Sequence, residues 1–162
     1  MYGRLKAVNG AELCTWIACV GAAAAAAAAV VLPTGRLNRV QGAAAPLVVV
    51  VVLLLVNGIA WRRMAWAGAV VYGIAAVALM YGVGLALSVP LRLSIEGICK
   101  PSATTCPLGF AYPITSGENE AVYVIAVAGA CSLMFVLVAF ELRHIRRRPH
   151  RETAPPRKEG SM

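Results

Sequence analysis

Two cysteines separated by six residues, Cys99 and Cys106, stand in the one sizeable polar interval between apolar stretches of the chain. A thiol pair at that spacing can close a disulfide or exchange one with another protein. Near the amino terminus Glu12 opens a long apolar run, and a carboxylate carried into a membrane can take up and release a proton. Beyond these the chemical inventory is thin. All seven acidic residues are Glu, Asp is absent, and both histidines, His144 and His150, fall in the polar tail. Ser-His-Asp triads, aspartyl nucleophiles and Asp-held metals are thereby excluded, and no imidazole lies in an apolar segment to hold a haem or a metal. The sequence leads to an expectation of no catalytic residue, no metal and no cofactor.

The elements that position these groups follow from composition. Of 162 residues 60% are hydrophobic and 14% are charged, with a mean hydropathy of +0.74. A soluble domain of this length could not enclose several long apolar runs without exposing large apolar patches. Crossing a hydrocarbon core of about 30 Å takes roughly 20 apolar residues in a helix. Four runs qualify, at residues 12–32, 43–60, 64–89 and 121–141. They divide the chain into an amino-terminal segment (1–11), a short outer loop (33–42), a tight turn (61–63), an outer loop with the cysteine pair (90–120) and a basic tail (142–162). The fold class expected is all-α, with four transmembrane helices in an antiparallel bundle. Pro33 and Pro90 follow the first and third helices, and Pro46 occupies the first turn of the second, where its missing N–H costs nothing. Thr115-Ser116-Gly117-Glu118 offers the fourth helix a capping hydroxyl with a carboxylate three residues on.

Lys and Arg accumulate in short cytoplasmic loops. With the amino terminus inside, the cytoplasmic segments hold Arg4, Lys6, Arg62, Arg63, Arg143, Arg146, Arg147, Arg148, Arg151, Arg157 and Lys158, which is 11 of the 15 basic residues. Both termini are therefore expected in the cytoplasm, with the protein in the cytoplasmic membrane. Trp16, Trp61 and Trp66 would then sit near the inner interface and Tyr123 near the outer one. Arg4 and Lys6 before an apolar run also describe a secretory signal peptide, but the run exceeds the roughly 7–15 residues of a signal core, which favours a retained anchor. The ratio of 12 Arg to 3 Lys among many Ala, Gly and Pro suggests a GC-rich bacterial genome. Small residues at four-residue spacing, Ala65-Ala69-Gly73 and Ala78-Gly82-Ala86 in the third helix with Ala126 and Ala130 in the fourth, suit close helix packing. Asn57, Glu12 and Glu141 each fall near a cytoplasmic helix end, within reach of water or an interfacial arginine.

Four helices with a carboxylate in the first, at Ala11-Glu12, resemble the small multidrug-resistance exporters, and the resemblance implies proton-coupled transport through Glu12. The chain departs from them in its outer loop, its basic tail and an acid nearer the membrane edge. Four helices with Cys99 and Cys106 in the second outer loop are similar to the bacterial disulfide-forming quinone oxidoreductase, which implies thiol-disulfide redox chemistry. That enzyme also needs a Cys-x-x-Cys pair in its first outer loop, and residues 33–41 hold no cysteine. A structural Cys99–Cys106 disulfide is the favoured expectation, with Cys14, Cys19 and Cys131 packing as small apolar residues. Phe110 and Tyr112, among prolines in the outer loop, form the candidate recognition surface. Arg143, Arg146, Arg147, Arg148 and Arg151 suit contact with anionic lipid headgroups and fix topology; without interleaved aromatics or a scaffold they do not call for nucleic acid. Elimination leaves a non-enzymatic small membrane protein, an accessory or interaction subunit with a membrane or envelope protein partner.

Overall fold

A computed structural model of the chain describes residues 10–33, 39–59, 65–99, 106 and 110–145. The segment 1–9, the turn expected at 61–63 and the tail from 146, with Arg146, Arg147, Arg148 and Arg151, lie outside the described residues. The rest is helical: α1 (Gly10–Val31), α2 (Ala44–Ile59) entered through a 3-10 turn at Gln41–Ala43, α3 (Ala65–Glu96) and α4 (Ser116–Ile145). All four are long and apolar enough to cross a membrane. At 1.5 Å per residue the shortest, Gln41–Ile59, spans about 28 Å.

The helices run past several of the expected apolar spans, furthest at the end of α3 and at both ends of α4. The third helix was expected to stop at residue 89, before Pro90, but α3 contains that proline and runs on to Glu96. Proline's fixed φ is already helical, so its cost is one lost backbone bond and local crowding, which membrane helices tolerate. What ends α3 is Gly97, whose φ of +81° places it in the left-handed region that closes helices and that side chains disfavour. The fourth helix begins at Ser116, ahead of the apolar span at 121 and directly after the expected cap, Thr115. The Glu118 amide donates to Thr115 Oγ1 (3.2 Å), while the Thr115 amide donates back to Glu118 Oε2 (3.0 Å). These reciprocal bonds satisfy amides that the first helical turn cannot pair internally.

The helices pack cyclically, α1 on α2, α2 on α3, α3 on α4 and α4 on α1, the last contact being the most extensive. Alanine explains that extent. Ala18, Ala22, Ala25 and Ala29 recur at three- and four-residue intervals on α1 and are fully buried, so this face approaches its neighbours nearly backbone to backbone. Larger side chains fill the centre from the other helices: Leu47, Val50 and Leu54 of α2, Leu79 of α3, Ile125 and Val136 of α4. Of the two small-residue ridges on α3, Gly82 and Ala86 turn inward while Ala69 and Gly73 face outward. On α4 it is Gly129 that is buried, with Ala130 exposed. A Cβ at Gly129 would collide with Val83 Cγ2. The outer faces carry Val20, Val52, Ile74, Val77, Met80, Met134 and Leu137, an apolar surface suited to lipid.

Candidate functional site

At one end of the helices the segments after α3 and before α2 form a tied cap. Cys99 and Cys106 lie at disulfide distance, their Cα atoms 5.9 Å apart. Beside them the Cys99 amide donates to the Ala111 carbonyl (2.9 Å) and the Ala111 amide to the Gly97 carbonyl (3.1 Å), so the loop is closed by backbone as well as by sulfur. Phe110 packs close to Gly97, where any Cβ would meet its ring at 3.1 Å. Phe110 is nonetheless 51% exposed, and Tyr112 is exposed as well.

Arg39, in the segment before α2, ties the cap to the remaining helices. Its guanidinium donates to the Tyr112 carbonyl (3.1 Å) and its backbone amide to Glu118 Oε1 (3.4 Å). Glu118 is only 3% exposed, and its carboxylate is satisfied by this amide together with the amide and hydroxyl of Thr115. The sequence marks Glu118 as a capping residue, and it carries no sign of the bond to Arg39, 79 positions away.

The opposite end holds a polar cluster to which every helix contributes. Thr15 of α1 donates its hydroxyl proton to the Ala11 carbonyl (2.7 Å) and lies 2.7 Å from the Tyr72 hydroxyl of α3. Since a threonine hydroxyl has a single proton, Tyr72 is the donor to Thr15. That chain fixes the tyrosine ring, and the Arg143 guanidinium of α4 rests over it, 5.1 Å from the centroid, a cation–π contact. Asn57 of α2 completes the cluster. A Cβ at Gly68 would lie 3.0 Å from Arg143 Nη1 and 3.7 Å from Asn57 Oδ1, so both groups border the space that the missing side chain leaves. Asn57 is wholly buried, with neither amide atom paired. The sequence places Asn57 within reach of water or an interfacial arginine; it is buried from water, its face pointing inward, while Arg143 borders the same notch without a bond to it.

The remaining candidates are dispersed. Glu12 is the third residue of α1, half-buried and engaged in an interaction of its own. Glu141 is exposed on α4. Cys19 is buried, Cys14 half-buried and Cys131 exposed, none near Cys99 in sequence or in a shared helix. Among the described residues no three His, Cys or Glu side chains converge as metal ligands. Length, apolarity and outward-facing aliphatic surface mark the chain as an α-helical multi-pass membrane protein. No family model, curated protein or solved structure matches it.

Proposed function

We propose that this protein is a non-enzymatic accessory or interaction subunit of the cytoplasmic membrane, an antiparallel four-helix bundle with both termini in the cytoplasm, whose disulfide-closed cap meets a membrane or envelope protein partner. The cap carries this reading. Disulfide, paired backbone and Arg39 hold its chain while the Phe110 ring stays half exposed. An aromatic presented on a constrained backbone loses little freedom on binding, and aromatics are enriched at protein interfaces. The orientation rests on the 11 basic residues that it places inside. It also lays the basic tail against the anionic leaflet, which attracts such segments by about 1 kcal/mol per basic residue.

Two observations rank this reading above transport and redox catalysis. Glu12 belongs to the first turn of α1, where a carboxylate complements the positive end of the helix dipole, rather than to mid-membrane. Cys99 is 4% exposed and Cys106 half-buried, and the free cysteines Cys14, Cys19 and Cys131 lie on α1 and α4 rather than beside the pair, so among the described residues no second thiol stands ready to relay electrons. The test is purification of the full chain in mild detergent, wild type beside a Phe110→Ala, Tyr112→Ala double variant. The expected result is a reproducible envelope partner lost from the variant, whose disulfide still forms. A wild-type protein that is reproducibly alone refutes the proposal, and drug efflux abolished by Glu12→Gln would replace it with transport.

A further inference from the structure

At the level where the apolar part of α3 gives way to charge, a cavity of about 370 Å³ opens between α3, the 3-10 turn and the cap. Its lining divides by chemistry. Leu85, Val89 and Leu93 of α3 make an apolar wall, while Arg39, Arg92 and Glu96 supply two guanidiniums and one carboxylate. Arg39 is held in place by its bond to the Tyr112 carbonyl, which uses one of its five N–H donors. Arg92 and Glu96 lie one helical turn apart on α3, and both are exposed. Two guanidiniums and one carboxylate thus face one cavity.

We infer that this cavity binds the headgroup of a zwitterionic amine-phosphate lipid, of the phosphoethanolamine kind. The phosphate oxygens are acceptors for Arg92 and for the guanidinium donors of Arg39 that the Tyr112 carbonyl does not use. The primary ammonium, two carbons away, is a cation that Glu96 can pair with. Of the apolar wall Val89 and Leu93 are buried, while Leu91 and Ile95 of the same turns are exposed and offer the surface along which the acyl chains continue. The volume lies toward the lower end of the range for small-molecule sites, as suits a headgroup whose tails remain outside. The same chemistry is offered by a soluble phosphoethanolamine ester, so the test separates the two sources. The inference rests on the membrane-spanning reading of the helices and is independent of any partner at the cap.

Native mass spectrometry of the full chain, released from mild detergent with defined lipids, reads the site directly. Wild type is expected to retain phosphatidylethanolamine about fivefold better than phosphatidylglycerol, the scale of one partly exposed ion pair. Glu96→Gln should remove that preference while leaving phosphatidylglycerol adducts unchanged, and Arg92→Gln should weaken both lipids. Both residues are exposed, so the variants should keep the fold, which unchanged helical circular dichroism checks. Phosphatidylcholine, whose quaternary amine has no N–H to donate, should bind more weakly than phosphatidylethanolamine. Displacement by equimolar glycerophosphoethanolamine would overturn the lipid as the source. Equal retention of all three lipids, indifferent to both substitutions, or a preference for phosphatidylglycerol that depends on Arg92, would overturn the inference.

Discussion

Replacing Asn57 by leucine should stabilise the protein, although it removes a polar group from the one cluster that all four helices share. Both atoms of the Asn57 amide are buried without a partner, and an unsatisfied buried polar group costs about 1–3 kcal/mol. Leucine has nearly the same shape and removes that cost. Its slightly larger volume adds strain at a site bordered by the Gly68 notch, and overpacking commonly costs about 1–3 kcal/mol where nothing can give. Here something can give, because Arg143 is held over Tyr72 by a ring contact rather than by an ion pair. A net gain of about 1 kcal/mol is expected, or roughly a fivefold shift in the folding equilibrium. Reversible unfolding of the full chain by sodium dodecyl sulfate in mild-detergent micelles, followed by tryptophan fluorescence, measures it. Asn57→Ala removes the same amide without added volume and serves as the companion variant. A loss of more than about 1 kcal/mol in both variants would show that the amide is satisfied in the folded membrane protein, and the reasoning would fail.

Two further substitutions test the packing and the cap. Gly97→Ala places a side chain at φ +81° and against the Phe110 ring. Left-handed backbone alone costs about 1–2 kcal/mol, so faster proteolysis of the cap is expected with unchanged helix content; unaltered cleavage would refute the role given to Gly97. Gly129→Ala would gain up to about 1 kcal/mol of intrinsic helix propensity, but the collision with Val83 outweighs it at about 1–3 kcal/mol. The net loss should shrink in a Val83→Ala background by about 1 kcal/mol, and strict additivity in the double-mutant cycle would dismiss the contact.

The existence of four spans is readable from run length alone, because a bilayer demands about 20 apolar residues per crossing whatever the neighbours do. Their ends are harder to read. Pro90 looks like a stop and is not one, whereas Glu96-Gly97 carries the signal that counts, a glycine able to take positive φ just past a helix. Thr115 to Glu118 was legible as a cap because both partners lie within four residues. Asn57 was not, since α2 is apolar on every side and offers no periodicity to say which face turns inward. Thr15 with Tyr72, and Arg39 with Glu118, are 57 and 79 positions apart, and no local pattern encodes such meetings. The cavity beneath the cap shares that origin, since Arg39 and Arg92 come from opposite sides of α2.

The alanine face of α1 has a consequence for biogenesis. Its principal neighbour is α4, the last of the four helices that a ribosome makes, and Arg39 likewise waits for Tyr112 and Glu118. A nascent chain released before Ser116 therefore carries a first helix that has α2 but lacks its principal neighbour, and a second helix without its tether. Synthesis order and contact order run opposite to one another in this protein. Truncation of the last helix should leave the first segment inserted but open to whatever membrane quality-control protease inspects unassembled helices.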